Sequence, residues 1–100
     1  MSTFKVKQNA DSSWPSTDIP SGTTEVEFEA LDGFTMLKPE HGDFPTCNDN
    51  KWEEFETDDN KLKAKYEKPT AQCQVTVKLR WDDNTEAEHS GDSQLTLEPG

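Results

Sequence analysis

The stretch QCQVTVKLRW, Gln72–Trp81, decides the fold class of this 100-residue chain. Apolar side chains occupy every second position from Cys73 to Trp81, and the residues between them are polar or charged. Successive side chains of a β-strand point to opposite faces, so this alternation predicts a strand with one buried and one solvated face.

The motif that follows, WDDNT, predicts a turn at the end of this strand. Asn tolerates the left-handed backbone that closes a three-residue hairpin loop, here Asp82-Asp83-Asn84. That loop would pair Arg80 with Glu86 and Lys78 with Glu88, so that opposite charges meet on the outer face. We interpret the paired aspartates as turn residues.

A second copy of this motif, TDDNK at Thr57–Lys61, predicts another hairpin. The same loop length pairs Trp52 with Tyr66, but it leaves Phe55 opposite Lys63. The fit is therefore looser than at the first motif. The aromatic and aliphatic spacing of this region also suits a helix, although Asp59 would then fall in the apolar stripe.

The short stretch LDGF, Leu31–Phe34, carries the strongest hairpin signal in the chain, because Asp-Gly accommodates positive φ at both central positions. It predicts that the preceding and following segments pair directly. One face would then collect Val26, Phe28, Ala30 and Leu37. The other would collect Glu25, Glu27, Glu29, Leu31, Phe34 and Met36, a mixture of acidic and apolar side chains.

Further short strands are predicted at both ends of the chain and around the turns, separated by Pro/Gly-rich connections at 12–22 and 38–50. We therefore expect one domain, residues 1–100, folded as an all-β antiparallel sandwich of seven to eight short strands. This resembles the immunoglobulin-like architecture in size and strand count. The Cys…Trp…Cys spacing of true immunoglobulin domains is absent, because Trp52 follows Cys47 by only five residues.

The charge balance excludes some partners. Asp and Glu number 21 against 10 Lys and Arg, giving a formal net charge of −11. Direct binding to nucleic acid or anionic lipid requires a basic surface, so neither is expected.

The N-terminal residues lack a signal-peptide apolar region and no apolar run reaches membrane-spanning length, so we expect a cytoplasmic protein, with a trimmed secreted domain as the alternative. Cys47 and Cys73 could form one bridge, but their spacing does not show whether they meet, and in the cytoplasm two reduced thiols are expected.

The sequence contains no recognisable set of catalytic residues and implies no cofactor. His89, Ser90 and Asp92 are close in the chain, but neighbours on an extended strand point to different faces. Asp58, Asp59, Asp82 and Asp83 would contribute to a calcium site only if both turns meet, and turn chemistry explains them better. No metal site is predicted. Trp14, in a predicted loop, is the candidate for stacking on a sugar ring.

We therefore expect a non-enzymatic, acidic protein-interaction domain of unknown role. It would bind a protein partner, or itself, through the hairpin face of Glu25, Glu27, Glu29, Leu31, Phe34 and Met36, or through the long loops. The first alternative is an acidic nucleic-acid mimic that inhibits a nucleic-acid-binding protein, because alternate glutamates repeat about every 6.6–6.8 Å. The second is a calcium- or carbohydrate-binding module.

Overall fold

Eight β-strands make up the ordered framework of this protein in a computed structural model, which describes residues 2–100. The strands are β1 (Thr3–Lys7), β2 (Thr17–Ile19), β3 (Glu25–Glu29), β4 (Thr35–Met36), β5 (Lys51–Asp58), β6 (Lys61–Glu67), β7 (Cys73–Asp82) and β8 (Glu88–Leu97). Within the described residues there is no helix, so none is long and apolar enough to cross a membrane. The helical alternative for the middle of the chain is wrong.

The strands form two four-stranded sheets. Sheet 1 has the order β1-β3-β6-β5 and sheet 2 the order β2-β8-β7-β4. β1 runs parallel to β3 and β2 runs parallel to β8, whereas every other neighbouring pair is antiparallel. The all-β prediction is confirmed, but the sheets are mixed instead of purely antiparallel. The reason is that the chain crosses from sheet 1 to sheet 2 between β1 and β2, and returns for β3.

The core lies between the two sheets and is built by the alternation that the sequence displays. β7 buries Val75, Val77, Leu79 and Trp81. The facing strands of sheet 1 contribute apolar residues at the same period of two. The fully or nearly fully buried set comprises Val6, Trp14, Ile19, Val26, Phe28, Ala30, Met36, Leu62, Ala64, Tyr66, Val75, Val77, Leu79, Trp81, Leu95 and Leu97.

The β7–β8 connection is a turn, as predicted, but it is longer than predicted. Arg80 pairs with Ser90 and Trp81 with His89, so the partners lie four residues further along than expected. Because the register shifts by an even number of residues, the side chains predicted to face inward still do so. Asp83 organises the longer loop: its carboxylate accepts hydrogen bonds from the Thr85 amide at 2.8 Å and the Ala87 amide at 3.2 Å.

The predicted hairpin at Asp32-Gly33 is wrong. β3 pairs with β1 and β6 in sheet 1, whereas β4 pairs with β7 in sheet 2. The Phe34 amide donates to the Leu31 carbonyl at 3.2 Å, which makes a β-turn, but only Gly33 has positive φ, at 89°. A hairpin of type I′ needs positive φ at both central residues. The turn therefore forms a corner that carries the chain from one sheet to the other.

The predicted loop at residues 12–22 contains a strand that the sequence analysis missed. β2 is only three residues long and lies between prolines, so its periodicity is too short to read. Just before it, the Trp14 ring covers Gly91 of β8, where an added Cβ would lie 3.2 Å from Trp14 and 3.2 Å from Trp81. Gly91 therefore makes room for both indole rings.

The prediction of two reduced thiols is wrong, because Cys47 and Cys73 form a disulfide bond. Their Cα atoms are 6.1 Å apart, within the range that a disulfide spans. The bond joins the long 38–50 connection to the first residue of β7. Sequence spacing could not reveal this, because the two residues belong to elements that meet only in the folded sandwich.

Candidate aromatic cleft

A β-bulge in β5 creates the most distinctive surface of the protein. The β5–β6 ladder pairs Trp52 with Tyr66, as predicted, but its register shifts between Glu53 and Glu56. Glu54, in this bulge, has φ of 51°, and a non-glycine residue there costs about 1–3 kcal/mol. Residues three apart on a regular strand face opposite sides. The extra residue instead brings Trp52 and Phe55 to the same side of the strand.

Phe44 joins these two rings to form an aromatic cluster. Its ring centroid lies 5.3 Å from that of Trp52 and 5.1 Å from that of Phe55, with interplanar angles of 79° and 67°. A third edge-on contact, at 5.5 Å, connects Phe44 to Phe28 in the core. All three outer rings are only half-buried. The three rings are thus packed edge to face against the core, and one side of the cluster is open to solvent.

The loop that carries Phe44 is held by an ion pair with β7. Asp43 is buried, and its carboxylate accepts two hydrogen bonds from Arg80, at 2.7 and 3.2 Å. The same carboxylate accepts the Glu40 amide at 2.8 Å, and the Asp43 carbonyl accepts the Lys78 amide at 2.8 Å. The Arg80 guanidinium holds the pKa of Asp43 below its usual value. The loop therefore also bonds the backbone of β7 and lies against that strand beyond β4.

The far end of this loop is fixed by the disulfide and by side-chain hydrogen bonds. The Asn50 side chain accepts the Cys47 amide at 2.8 Å, and the Asp49 carboxylate accepts the Thr70 amide at 2.9 Å. The Trp52 indole N–H donates to the Pro45 carbonyl at 3.2 Å. A long Pro/Gly-rich connection held at both ends and in the middle presents its residues in a fixed position.

The loop and β5 enclose an open cleft of about 290 Å³, which we call the aromatic cleft. Its walls are Phe44, Trp52 and Phe55. Its rim is formed by Pro39, Glu40, His41, Gly42 and Thr46. This volume lies at the lower end of the range for small-molecule pockets, about 300–1,000 Å³. The cleft therefore has room for one or two amino-acid side chains but not for a large cofactor.

The glutamates proposed as contact residues lie on the outer face of sheet 1, between two rows of lysines. Glu25, Glu27 and Glu29 pair with Lys65, Lys63 and Lys61 of β6, and β1 places Lys5 and Lys7 on the other side. Glu27 is the most enclosed: its side chain is 6% exposed, with the Lys5 and Lys63 ammonium groups 3.6 and 3.9 Å away. Positive charges on the two neighbouring strands thus flank the row of glutamates on both sides.

The apolar members of the predicted contact face lie elsewhere, because the hairpin that would unite them does not exist. Leu31 and Phe34 are half-buried at the corner turn, where the Phe34 ring stacks on Trp81 at 6.1 Å. Met36 is 2% exposed and belongs to the core. The six residues therefore do not share one surface.

Trp14, the candidate for sugar stacking, is also a core residue. It is 6% exposed, and its ring packs edge-on against Phe28 and Trp81 at 6.2 and 6.1 Å. Trp14 does lie in a loop, between β1 and β2, as predicted, but it is buried there because the chain turns inward to begin β2. No ring face of Trp14 is open to a ligand.

The two double-aspartate turns lie at the same end of the sandwich, on either side of β4. The Met36 amide donates to the Asp59 carbonyl at 2.9 Å, while Met36 pairs with Trp81 on its other side. Within residues 2–100, however, no three acidic, histidine or cysteine side chains converge as a metal site would require. Asp83 is occupied instead by its own loop and by His89, whose Nε2 lies 2.8 Å from the carboxylate. These hydrogen bonds from Thr85 and His89 hold the pKa of Asp83 well below its usual range.

The alternation of the sequence does not reveal the cleft residues Phe44, Trp52 and Phe55 as a group. One signal was present: the regular hairpin register placed Phe55 opposite Lys63, an unfavourable pair for a core-facing aromatic ring. A bulge resolves that conflict.

No protein-family model, curated protein or solved structure matches this chain.

Proposed function

We propose that this protein is a non-enzymatic interaction domain that receives side chains of a protein partner in the aromatic cleft. The observation that carries this proposal is the bulge at Glu54, which forces an unfavourable backbone angle and brings Trp52 and Phe55 together. Bulges often redirect side chains at functional positions. Half-exposed aromatic rings in a rigid concave surface are also typical anchors of protein interfaces.

The shape of the cleft favours a partner's side chain over a sugar ring. A pyranose stacks on one open, flat aromatic face, whereas the three rings here are tilted by 79° and 67° about Phe44. One side of Trp52 is further occupied by Tyr66, whose ring centroid is 4.9 Å away. Because the three rings are in contact with one another, a compact side chain would lie on their exposed side, within the cleft.

The alternative of nucleic-acid mimicry has less support. A phosphate backbone is a continuous row of negative charge, but the Glu25–Glu29 row is flanked by lysines on both neighbouring strands. Lysines at this spacing would repel the basic cleft of a nucleic-acid-binding protein. We therefore place the interaction surface at the aromatic cleft instead of the face of sheet 1.

The strand order supports an immunoglobulin-like assignment of the fold. Sheet 1 follows the order A-B-E-D and sheet 2 contains the order G-F-C, if β1, β3, β4, β5, β6, β7 and β8 correspond to strands A to G. The first strand departs from that pattern because it runs parallel to its neighbour. The Cys47–Cys73 bridge also differs from the inter-sheet bridge of antibody domains, since it ties a loop to β7.

The disulfide bears on the compartment in which the domain works. Stable disulfides are rare in the cytosol and common in secreted or periplasmic proteins. We therefore propose the secreted alternative in preference to the cytoplasmic one.

Selection from a random short-peptide library tests the proposed function. Peptides enriched on the wild-type domain are expected to lose binding to Phe55→Ala, which removes one wall of the cleft. They should retain binding to Lys7→Ala, which changes the outer face of sheet 1. Enrichment of peptides that bind Phe55→Ala as tightly as wild type would exclude the cleft as the interaction surface.

A further inference from the structure

We infer that the aromatic cleft selects a cationic side chain, lysine or arginine, of its protein partner. This inference rests on the proposed function and adds the chemistry of the recognised group. The faces of aromatic rings carry partial negative charge and attract cations placed within about 6 Å of a ring centroid. Phe44, Trp52 and Phe55 line one opening, and each is half-exposed, so aromatic surface is available there to a cation.

The charge on and beside the rim complements a cation: Glu40, on the rim, belongs to a cluster of acidic side chains around Arg80. Three carboxylates, those of Glu40, Asp43 and Glu88, surround the single guanidinium of Arg80. Asp43 alone engages Arg80 through two hydrogen bonds. Glu40 and Glu88 each lie 3.3 Å from the guanidinium, and their side chains are 67% and 53% exposed. Negative charge is therefore in excess here, and Glu40, which lines the cleft, can accept hydrogen bonds from an incoming ligand.

The whole protein reinforces this preference. With a formal net charge of −11, the domain attracts basic partners and repels acidic ones at long range. An acidic or neutral polar side chain would also lose its hydration in the cleft without a matching group among the aromatic walls. An aliphatic side chain would fit the walls but would make no ion pair with the Glu40 carboxylate.

The test uses the blocked amino acids Nα-acetyl-lysine amide and Nα-acetyl-arginine amide, with the neutral Nα-acetyl-norleucine amide for comparison. Binding to the 100-residue protein is followed by the NMR chemical shift of the Trp52 indole N–H. We expect the two cationic compounds to bind about three- to tenfold more tightly than the norleucine compound. We expect Glu40→Gln to lower this preference by about two- to threefold, because the exposed carboxylate supplies part of it and the aromatic rings supply the rest.

Glu67→Gln provides the matched control, because the Glu67 side chain is also 67% exposed and lies away from the cleft. It should change the preference for a cation by less than about twofold. Equal binding of the norleucine compound would overturn the cation inference while leaving an apolar interaction cleft intact. No saturable shift with any of the three compounds would also overturn it. Failure of the peptide selection above would instead remove the proposed function itself.

Discussion

Removal of the charge on Asp43 should destabilise the protein, because this residue ties the cleft loop to β7. In Asp43→Asn the buried ion pair with Arg80 is lost while the shape of the side chain is kept. Breaking a buried pair costs about 3–5 kcal/mol. Arg80 is 16% exposed and keeps Glu40 and Glu88, and Asn still accepts one hydrogen bond. We therefore expect a loss of about 2 kcal/mol in the free energy of unfolding.

Urea denaturation at neutral pH measures this loss directly. A protein of this size has an m-value of about 1–1.5 kcal/mol per molar urea, so the midpoint should fall by about 1.3–2 M. Asp32→Asn, which removes the charge of an exposed aspartate at the corner turn, is the control and should leave the midpoint nearly unchanged. If both variants unfold at the same urea concentration, the Asp43–Arg80 pair does not hold the loop.

The pH dependence of the same variant provides an independent check. The pKa of Asp43 is lower in the folded protein than its ordinary value of 3.8, so the carboxylate stabilises the fold at pH values above about 4. This stabilisation is lost as the pH falls through the folded-state pKa. The difference in stability between wild type and Asp43→Asn should therefore shrink below about pH 4. A difference that stays constant down to pH 2 would contradict the assignment.

Three further predictions concern the stability of variants, and a fourth concerns the titration of Tyr66. Gly91→Ala should cost about 1–3 kcal/mol, seen as a lower Tm, because its Cβ would press against two indole rings at 3.2 Å; a Tm equal to wild type would disprove the close packing. Tyr66→Phe should be as stable as wild type or slightly more so in urea, because the buried hydroxyl has no hydrogen-bond partner within residues 2–100. Burial raises the pKa of Tyr66 to about 12, so its ultraviolet titration should lag behind that of free tyrosine; titration near pH 10 would contradict this burial. The double variant Cys47→Ser/Cys73→Ser should lose about 3–4 kcal/mol in the free energy of unfolding, because the bridge closes a loop spanning 26 positions and so limits the unfolded chain. Urea curves unchanged by the double substitution would show that the bridge does not constrain the chain.

The sequence predicts the strands better than their partners. β7 is predicted correctly because five apolar positions alternate without interruption, and β2 is missed because three residues reveal no period. Asp32-Gly33 does mark a turn, yet a turn signal is local. It does not specify whether the chain returns in the same sheet or crosses to the other one. The contact residues predicted from that hairpin consequently do not lie on one face.

The candidate site depends on features that a regular pattern hides. Trp52 and Phe55 are three positions apart, which on an ideal strand separates them, so the alternation that predicts β7 conceals the cleft. Phe44 reaches the cluster only because Asp43 and the disulfide fix its loop to β7. These contacts join segments distant in sequence. The single available signal was the poor match of Phe55 with Lys63.

Nuclear Overhauser effects between protons of the three rings test the bulge and the cleft most directly. With Trp52, Phe55 and Phe44 selectively labelled, the Phe44 ring protons should show contacts to both Trp52 and Phe55. Contacts from Phe55 to the side chains of the outer lysines, with none to Phe44, would mean that β5 is regular and that the cleft does not exist.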